Sequence, residues 1–488
     1  MSRFNLNKKP DQPDAVNAEG GKAFKESPKL EFISTLLTSF LDDKFYESKN
    51  ETVRRIINLI NEIPDKKFIG KAAIYARTKF GMRSVSHVVA AEIAKNVKKE
   101  KWTKDFFDKI IYRPDDMLEI ISYYMKAYGK RPVINSLKKG FRKAIGRFNA
   151  YELGKYRGEN KEVSLIDLVN LVHPKPTEKN AAALTDLVKD TLKSNSTWEK
   201  DLTQAGQKAK TEEEKVEFKK EVWVNLIESK KIGYFALLRN LRNIIEQAPD
   251  QIDNAMTMLT DEKLIKASLV LPFRYSTAYK QIQELINPPR KVIAGISKAA
   301  DIALSNVPKF DGKTLIVLDV SGSMMGRPIE IGSLFAAVLA KTNDNADFMI
   351  FASEAKYKTF NPQDSVLSIM DSITRDSDVG GGTDFHSIFE TINKKYDRII
   401  ILSDMQGWMA DSWDDNPGAP TKAFKAYKNK YSADPYVYSF DLNNYGTLMF
   451  PEKKVYCIAG WSEKIFDLMK ILETDKEALI NDIEKIQI

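Results

Sequence analysis

The sequence contains a single cysteine, Cys457, which excludes an internal disulfide framework and a cysteine-rich zinc site. Its apolar and aromatic neighbours (Val455, Tyr456, Ile458 and Ala459) are typical of a buried strand, so the thiol is interpreted as a core filler. No apolar run approaches the roughly 18 residues that a membrane-spanning helix needs. The polar start of the chain, Met1 to Pro28, lacks the apolar core of a signal peptide. Together these absences predict a cytoplasmic protein without a membrane partner.

Charge is distributed unevenly along the chain. Lysine and arginine number 75 against 67 aspartate and glutamate, a net charge of +8. From Lys309 onward the basic residues number 20 and the acidic residues 27, whereas the preceding part holds 55 and 40. A basic body joined to an acidic module suggests that the body meets a polyanion, most commonly a nucleic acid.

A chain of 488 residues is too long for one hydrophobic core, so several domains are expected. We predict a flexible polar arm over residues 1–26, an α-helical region over 27–307 and an α/β domain over 308–488. In the helical region apolar residues recur at three- and four-residue spacing between short polar breaks. Many short helices in series are typical of a solenoid of helix pairs, although no fixed-period repeat is visible.

After Pro308 the pattern changes to short apolar runs that alternate with helical stretches. The runs are rich in β-branched and aromatic residues and span Thr314–Val320, Phe348–Ala352, Arg398–Asp404, Pro435–Asp441 and Lys454–Gly460. Strands that alternate with helices predict a doubly wound parallel sheet. Ligands of such sheets bind beyond the carboxyl ends of the strands.

Oxygen-bearing side chains follow two of these predicted strands and one glycine-rich turn. The first strand ends at Asp319 and leads into Ser321 and Ser323, and a later strand ends at Asp404. The turn Gly380-Gly-Gly-Thr383 supplies another hydroxyl. Five hard oxygen donors with two formal charges suit Mg²⁺ or Mn²⁺ and leave room for water or a partner's carboxylate.

This order of donors resembles the metal-ion-dependent adhesion motif of the von Willebrand A family. The resemblance implies that the aspartates often reach the metal through water and that the open position takes an acidic group of a ligand. A haloacid dehalogenase-type phosphotransferase would need an aspartate where Ser321 stands. A serine hydrolase would need a Gly-x-Ser-x-Gly elbow and a triad histidine. No catalytic base is apparent, so we predict that the protein is not an enzyme.

A polar loop with two tryptophans, Trp408 and Trp413, follows Asp404. Their rings either pack on the domain or contact a partner. His386 follows the Thr383 turn and is interpreted as structural.

Basic residues cluster repeatedly in the helical region. The segment Leu137–Phe148 places its apolar residues on one stripe and its cations on the rest of the surface. Such a face alone is commonly just solvated, but its repetition favours nucleic-acid binding. The predicted RNA-binding residues are Lys71, Arg77, Arg83, His87, Lys138, Lys139, Arg142, Lys143, Arg147, Lys155, Arg157 and His173. For His87 and His173 a structural role at a helix end or in the core is the alternative. Tyr75, Tyr151 and Tyr156 either stack on bases or belong to the core.

Several of these segments resemble the TROVE domain of Ro proteins: Arg83-Ser-Val-Ser-His87, Gly140-Phe-Arg-Lys143-Ala-Ile, Lys155-Tyr156 and Ser164–Pro176. A TROVE domain before a von Willebrand A domain is the Ro architecture. The resemblance implies a ring of HEAT-like helical repeats that binds small noncoding Y-type RNAs on its outer surface. It also implies that the ring accepts single-stranded 3′ ends of misfolded RNAs.

We therefore expect a non-catalytic, monomeric RNA-binding protein of RNA quality control, with a nuclease or RNA-repair protein as a possible partner. The alternative is a protein-interaction scaffold whose metal site grips an acidic partner, with the basic helices merely solvated.

Overall fold

The computed structural model describes residues 15–16, 22–23, 28–38, 49–129, 132–158, 162–192, 198–374, 379–406, 421–442, 454–459, 465–474 and 478–488. The chain forms two compact units. One comprises Met1–Lys25 and Ser196–Cys457, and the other comprises Glu26–Asn195 and Ile458–Ile488. The predicted boundary at residue 307 is not where these units divide, and the predicted domain limits stay a prediction. Of the predicted N-terminal arm, Ala15–Val16 (β1) pairs antiparallel with Lys22–Ala23 (β2), and the rest lies outside the described residues.

The unit that contains the N-terminal helices is mainly α-helical in its described residues. Its helices are α1 (Pro28–Thr38), α2 (Lys49–Glu62), α3 (Lys66–Lys79), α4 (Ser84–Asn96), α5 (Thr103–Lys109), α6 (Pro114–Tyr128), α7 (Asn135–Ile145), α8 (Ala150–Lys155), α9 (Leu165–Val172) and α10 (Ala181–Val188). Two further helices from the C-terminal segment complete it. In the numbering of the whole chain they are α23 (Ile465–Thr474) and α24 (Ala478–Glu484).

Near neighbours in this unit pack helix against helix. Helices α5 and α7 approach closely, with the rings of Phe107 and Phe141 in edge contact at 6.3 Å. Gly140 permits this approach, because a Cβ there would lie 2.5 Å from the Cβ of Phe107. Local signals start the helices: Ser164 and Asp167 form a capping box at α9, and Asn149 and Glu152 form one at α8.

The other unit combines helices with a sheet. Its first helices are α11 (Trp198–Lys208), α12 (Glu212–Glu228), α13 (Tyr234–Arg239), α14 (Leu241–Gln247), α15 (Ile252–Leu259), α16 (Glu262–Ser268), α17 (Pro272–Gln283) and α18 (Arg290–Ala303). Among the described residues, the helices alternating with the later strands are α19 (Arg327–Thr342), α20 (Val366–Thr374), α21 (Phe385–Thr391) and α22 (Thr421–Tyr431). Short 3₁₀ turns occur at Pro249–Gln251, Leu304–Asn306 and Gly322–Met324.

The sheet has six strands in the order β5-β4-β3-β6-β7-β8. They are β3 (Thr314–Asp319), β4 (Ala346–Phe351), β5 (Ala355–Lys358), β6 (Arg398–Ser403), β7 (Tyr436–Asp441) and β8 (Val455–Ala459). The central strand β3 is parallel to both β4 and β6, and β6 is parallel to β7. The chain leaves β3 for β4 on one side and returns to β6 on the other, so the order reverses at β3. Ligand sites of α/β sheets lie at such switch points.

The predicted fold class, a helical region plus an α/β sheet, is therefore confirmed, and five of the six described strands of this sheet were predicted. The edge strand β5, which is antiparallel to β4, was not predicted. Its four residues Ala-Lys-Tyr-Lys carry too little apolar pattern to stand out. No helix within the described ranges is both long and apolar enough to cross a membrane.

Candidate functional site

Asp319 lies at the carboxyl end of β3 and is fully buried. The hydroxyl of Ser403, the last residue of the adjacent strand β6, donates to Asp319 Oδ2 at 2.6 Å. The backbone N–H of Ser321 donates to Asp319 Oδ1 at 2.9 Å. Each carboxylate oxygen is thus held by a separate donor, so the orientation of the side chain is fixed.

A second buried carboxylate, Asp404, follows β6 directly and is 1% exposed. Burial, together with the nearby negative charge of Asp404, raises the pKa of Asp319 to about 7. Hydrogen bonds from Ser321 and Ser403 oppose this shift. A bound cation would relieve both the desolvation and the repulsion, so the electrostatics of this pair favour a positive ion between the strand ends.

Two serine hydroxyls extend from the turn after β3. Ser321 is buried and Ser323 is exposed, and their Oγ atoms are 3.3 Å apart. The intervening Gly322 begins a short 3₁₀ turn, Gly322–Met324, which brings the alternate positions together. The turn therefore presents two neutral oxygen donors beside the Asp319 carboxylate.

The glycine-rich loop that carries Thr383 lies against this turn. The N–H of Gly322 donates to the carbonyl of Gly381 at 3.2 Å, and the N–H of Gly382 donates to Ser353 Oγ at 3.0 Å. Gly380 has a φ of +83°, and a Cβ there would lie 2.9 Å from Ser353 Oγ, so this position requires glycine. Thr383 itself is 2% exposed. The structure therefore brings all three predicted metal-binding segments to one end of the sheet.

The donor set of Asp319, Ser321, Ser323, Thr383 and Asp404 fits a small hard cation. In the part of the chain that the structure describes, no three His, Cys, Asp or Glu side chains form a group suited to a metal. A metal here would consequently depend on hydroxyl oxygens as well as on the two carboxylates, which matches Mg²⁺ or Mn²⁺ better than a softer ion. The predicted Trp408 and Trp413 loop lies outside the described residues.

Three of the predicted RNA-binding residues converge instead on one buried carboxylate, Asp116. Arg77 donates from Nη2 to both Asp116 oxygens at 3.0 and 2.9 Å, Arg83 donates from Nε at 3.2 Å, and His87 Nε2 lies 3.0 Å from Oδ1. The backbone N–H groups of Tyr112 and Arg113 also donate to Asp116 Oδ2, each at 2.9 Å. Arg77 and His87 are buried and Arg83 is half-buried. This geometry favours the structural alternative for His87.

The charge of Asp116 is maintained by these partners. Burial alone would raise the pKa of Asp116. This effect is outweighed by the hydrogen bond and charge interaction with His87, by the charge of Arg77 and by the hydrogen bond from the Tyr112 N–H. Together they hold the pKa of Asp116 well below its usual value. The carboxylate is therefore ionised throughout the neutral range, and it fixes Arg77 of α3 and Arg83, which directly precedes α4, at the start of α6.

A second buried carboxylate, Asp108, holds two further cations of the predicted set. Lys143 Nζ is 2.7 Å from Asp108 Oδ2, and this hydrogen bond raises the pKa of Lys143. Arg147 pairs with the same carboxylate and also donates to the carbonyls of Asp108 and Ile111 at 2.8 and 3.0 Å. Both cations nevertheless keep about half of their side chains in solvent, with 57% and 45% exposed.

The remaining cations of α7 are Lys138, Lys139 and Arg142. Lys139 is exposed, Lys138 is half-buried, and within the described residues neither has an ion-pair partner. Arg142 is exposed and donates from Nε to the carbonyl of Val172 at 2.7 Å, which joins α7 to the end of α9. The next residue, His173, is exposed and ends α9 in the left-handed region with a φ of 48°. We call Lys138, Lys139, Arg142, Lys143 and His173 the α7–α9 surface.

The other predicted RNA-binding residues lie apart from this surface or are already paired. Lys71 pairs with Glu484 at 2.8 Å, and Arg157 pairs with Asp190 at 2.6 Å. Lys155 is exposed, with its Nζ 5.5 Å from the centre of the Tyr156 ring. Whether any of the predicted residues binds RNA stays a prediction.

Tyr75, Tyr151 and Tyr156 were predicted either to stack on bases or to belong to the core. Tyr75 is buried, and burial raises its pKa to about 12. Tyr151 is exposed and Tyr156 is half-buried. Tyr112, Arg113 and Asp116 were not among the residues predicted from the sequence. A signal was present, because Arg113-Pro-Asp-Asp116 has proline at the first helical position and an acid at the third, as helix starts do.

A family comparison decides what kind of chain carries these features. The TROVE domain model matches residues 32–218 and 191–294, more than half of the chain. The chain belongs to the TROVE domain family. This membership supports the prediction that the protein is an RNA-binding component of a ribonucleoprotein.

Two known proteins are similar to this TROVE protein. It is 24% identical over 306 residues to telomerase protein component 1 of Mus musculus, a match that covers 45% of this chain and 11% of the mouse protein. It also resembles the crystal structure of the Deinococcus radiodurans RO (RSR) protein, with a TM-score of 0.64 and 19% identity. That likeness covers 89% of this chain and 97% of the Deinococcus chain, so it confirms the predicted fold of helical region plus α/β domain.

Proposed function

We propose that this TROVE protein is a Ro-type ribonucleoprotein component that binds small Y-like noncoding RNAs and single-stranded ends of misfolded RNAs in RNA quality control. The observation that carries the proposal is the exposed α7–α9 surface, which lies within the matched TROVE residues.

The α7–α9 surface has the properties that phosphate contacts need. The apolar stripe of α7 is fully buried at Leu137, Phe141 and Ala144, so the helix is rigidly seated. Its opposite side leaves Lys139, Arg142 and Lys143 exposed. Cations on a fixed helix approach the phosphate backbone at little entropic cost and release counterions when they do so.

Arg142 illustrates how this surface is ordered. Its Nε is engaged by the Val172 carbonyl, which is one of the orphan acceptors at the end of α9. A guanidinium anchored through one nitrogen still has donors on its other nitrogens, and these can contact a phosphate. His173 is the residue next to this anchor and is exposed, so it could donate to phosphate or to a base edge.

The proposal is tested by purifying the tagged protein, digesting the preparation with protease and sequencing the RNA that remains. Enrichment of a few small structured RNAs over a tag-only preparation is expected. Recovery of only the host's most abundant RNAs, in proportion to abundance, contradicts a specific Y-like ligand. Loss of Lys139, Arg142 and Lys143 should remove the enriched species, because these cations are proposed to hold their phosphates.

For the α/β domain we propose a von Willebrand A-type metal site that holds Mg²⁺ or Mn²⁺ through Asp319, Ser321, Ser323, Thr383 and Asp404. A bound ion would supply a charge that can accept a carboxylate from a partner, such as a nuclease or RNA-repair protein. The buried and mutually repelling pair Asp319 and Asp404 supports this proposal.

The same pair supports a second candidate function, a metal-dependent protein-interaction scaffold without an RNA role. The two candidates differ in what accompanies the purified protein. A Ro-type protein should show the high 260-nm absorbance of bound RNA, which nuclease treatment removes. A scaffold alone should show protein absorbance only, together with capture of acidic partners that a chelator releases.

A further inference from the structure

Tyr112 is an aromatic side chain that is mostly exposed. It lies between α5 and α6, and its side chain is 65% exposed. Its backbone is nevertheless fixed, because its N–H donates to buried Asp116 at 2.9 Å. An exposed aromatic ring on an ordered backbone leaves apolar surface in water that a ligand can cover.

One side of the Tyr112 ring is occupied by a buried cation. The guanidinium carbon of Arg77 lies 5.3 Å from the centre of the ring, and Arg77 is itself held by both oxygens of Asp116. The ring therefore has a fixed inner neighbour, and the part left in solvent provides an area on which a planar group could stack.

A second tyrosine lies close to the same backbone. The guanidinium carbon of Arg113 is 5.1 Å from the centre of the Tyr156 ring, and Lys155 Nζ is 5.5 Å from it. Arg113 donates from Nε and Nη2 to Asp115 at 3.1 and 3.0 Å, which fixes its plane. The two rings are linked by a chain of ion pairs. Arg77, beside Tyr112, pairs with Asp116, and Arg83 pairs with both Asp116 and Asp115. Asp115 in turn holds Arg113 beside Tyr156.

The acidic and the basic side chains around the two tyrosines differ in their exposure to solvent. The carboxylates of Asp115 and Asp116 are buried, whereas Arg83, Arg113 and Lys155 reach solvent. Glu119, which is half-buried, is the further acid that faces Arg83. A ligand that approaches from solvent would thus meet tyrosine rings flanked by cations.

Resting on the proposed function, we propose that Tyr112 and Tyr156, with Arg113 and Lys155, form a stacking site for unpaired RNA bases. Bases would stack on the rings, and the flanking cations would contact the adjoining phosphates. A duplex cannot use this site in the same way, because its base faces are covered by their neighbours and it offers mainly phosphates and 2′-hydroxyls. This surface would therefore bind single-stranded RNA through its bases, whereas the α7–α9 surface would contact the phosphates of an RNA.

The experiment measures binding of the full-length protein to a single-stranded RNA of about 12 nucleotides that contains the fluorescent base 2-aminopurine. We compare the wild type with Tyr112→Ala, Tyr112→Phe and the control Phe235→Ala, which removes another exposed aromatic ring from the other unit. A blunt hairpin is titrated in parallel. Thermal unfolding checks each variant, and the exposure of both Tyr112 and Phe235 predicts that all of them fold.

Tyr112→Ala should weaken single-strand binding by about 5- to 150-fold, since stacking contributes roughly 1–3 kcal/mol per base. Its quenching of 2-aminopurine fluorescence should fall, while the salt dependence of binding stays unchanged because no phosphate contact is lost. Tyr112→Phe and Phe235→Ala should bind within about twofold of the wild type, and hairpin affinity should change little.

Wild-type affinity and quenching in Tyr112→Ala would overturn the stacking site while leaving the RNA-binding function intact. Equal losses for single strand and hairpin would also overturn it, because they would place Tyr112 in a general RNA contact. Failure of the wild type to bind either RNA would instead overturn the proposed function and this site with it.

Discussion

The Ser403 hydroxyl donates to Asp319 Oδ2 at 2.6 Å, and this bond joins the ends of two neighbouring parallel strands, β6 and β3. Each partner is followed by other candidate metal ligands, with Asp404 next to Ser403 and Ser321 two residues after Asp319. The pairing of the strands thus brings together donors that are about 80 residues apart in the sequence. A cation held at this edge, as proposed, would balance the two carboxylates.

Asp319→Ala should abolish binding of Mg²⁺ or Mn²⁺, because it removes one of two formal charges from the proposed site. Calorimetry on the full-length protein measures this, with Asp364→Asn as a control that neutralises an exposed carboxylate on the same unit. The circular dichroism spectrum should keep its strand and helix signal. Unchanged metal affinity in Asp319→Ala contradicts the assignment. RNA affinity should persist, because the proposed RNA contacts lie in the other unit.

Replacing Lys139, Arg142 and Lys143 with glutamine should weaken RNA binding and lower its dependence on salt. Each lost phosphate contact reduces the slope of log affinity against log salt by roughly 0.7–0.9. The matched control replaces Lys422, Lys425 and Lys430 of α22, which makes the same change in net charge on the other unit. If both triple variants reduce the slope equally, only net charge matters and the α7–α9 surface has no special role.

Asp116→Asn should destabilise the helical unit by about 3–5 kcal/mol, because it leaves Arg77 buried beside a neutral group. Its matched control is Asp186→Asn, which alters an exposed aspartate of the same unit. Urea unfolding followed by helix circular dichroism measures both. A loss in Asp116→Asn no larger than in the control would show that the network around Asp116 contributes little.

The same residue predicts how stability varies with pH. The pKa of Asp116 is lower in the folded protein than its unfolded value of about 3.9, so the unfolded chain binds the extra proton first. Its contribution is therefore complete above about pH 4 and is lost as the pH falls below that value. The free energy of unfolding of the wild type should decline more steeply than that of Asp116→Asn between about pH 4 and 2.5. Parallel declines would contradict the lowered pKa.

Features that depend on residues close together in the sequence could be predicted, whereas contacts between distant residues could not. The donors of the proposed metal site could be predicted as neighbours because each follows a strand or turn directly, and strand ends of a parallel sheet meet at one edge. The two faces of α7 followed from periodicity alone. The roles of Arg77, Arg83 and His87 could not be predicted from periodicity. Their common partner, Asp116, lies 29 to 39 residues away in the sequence and is brought to them by packing.

Asp108 gives a second example of the same limit. Its pairs with Lys143 and Arg147 convert part of a seemingly free basic helix face into local ion pairs. Amphipathic spacing shows which side of a helix is polar, but it does not show which cations already have a carboxylate. Tyr112 was overlooked for the opposite reason, since a lone aromatic in a polar connection carries no periodic signal.

The Ro-type function also predicts that the protein distinguishes RNAs by their unpaired ends. A hairpin with a single-stranded 3′ tail should bind more tightly than the same hairpin with a blunt end, because only the tail exposes base faces for stacking on rings such as Tyr112. A circular single strand with as many unpaired nucleotides as the tail separates two causes of this preference. If unpaired bases alone are recognised, the circle should match the tailed hairpin. If a free end is accepted, the circle should bind more weakly although it offers the same bases. Titrations at matched salt compare the three ligands, and equal affinity for all of them would leave only a plain basic surface that reads neither bases nor ends.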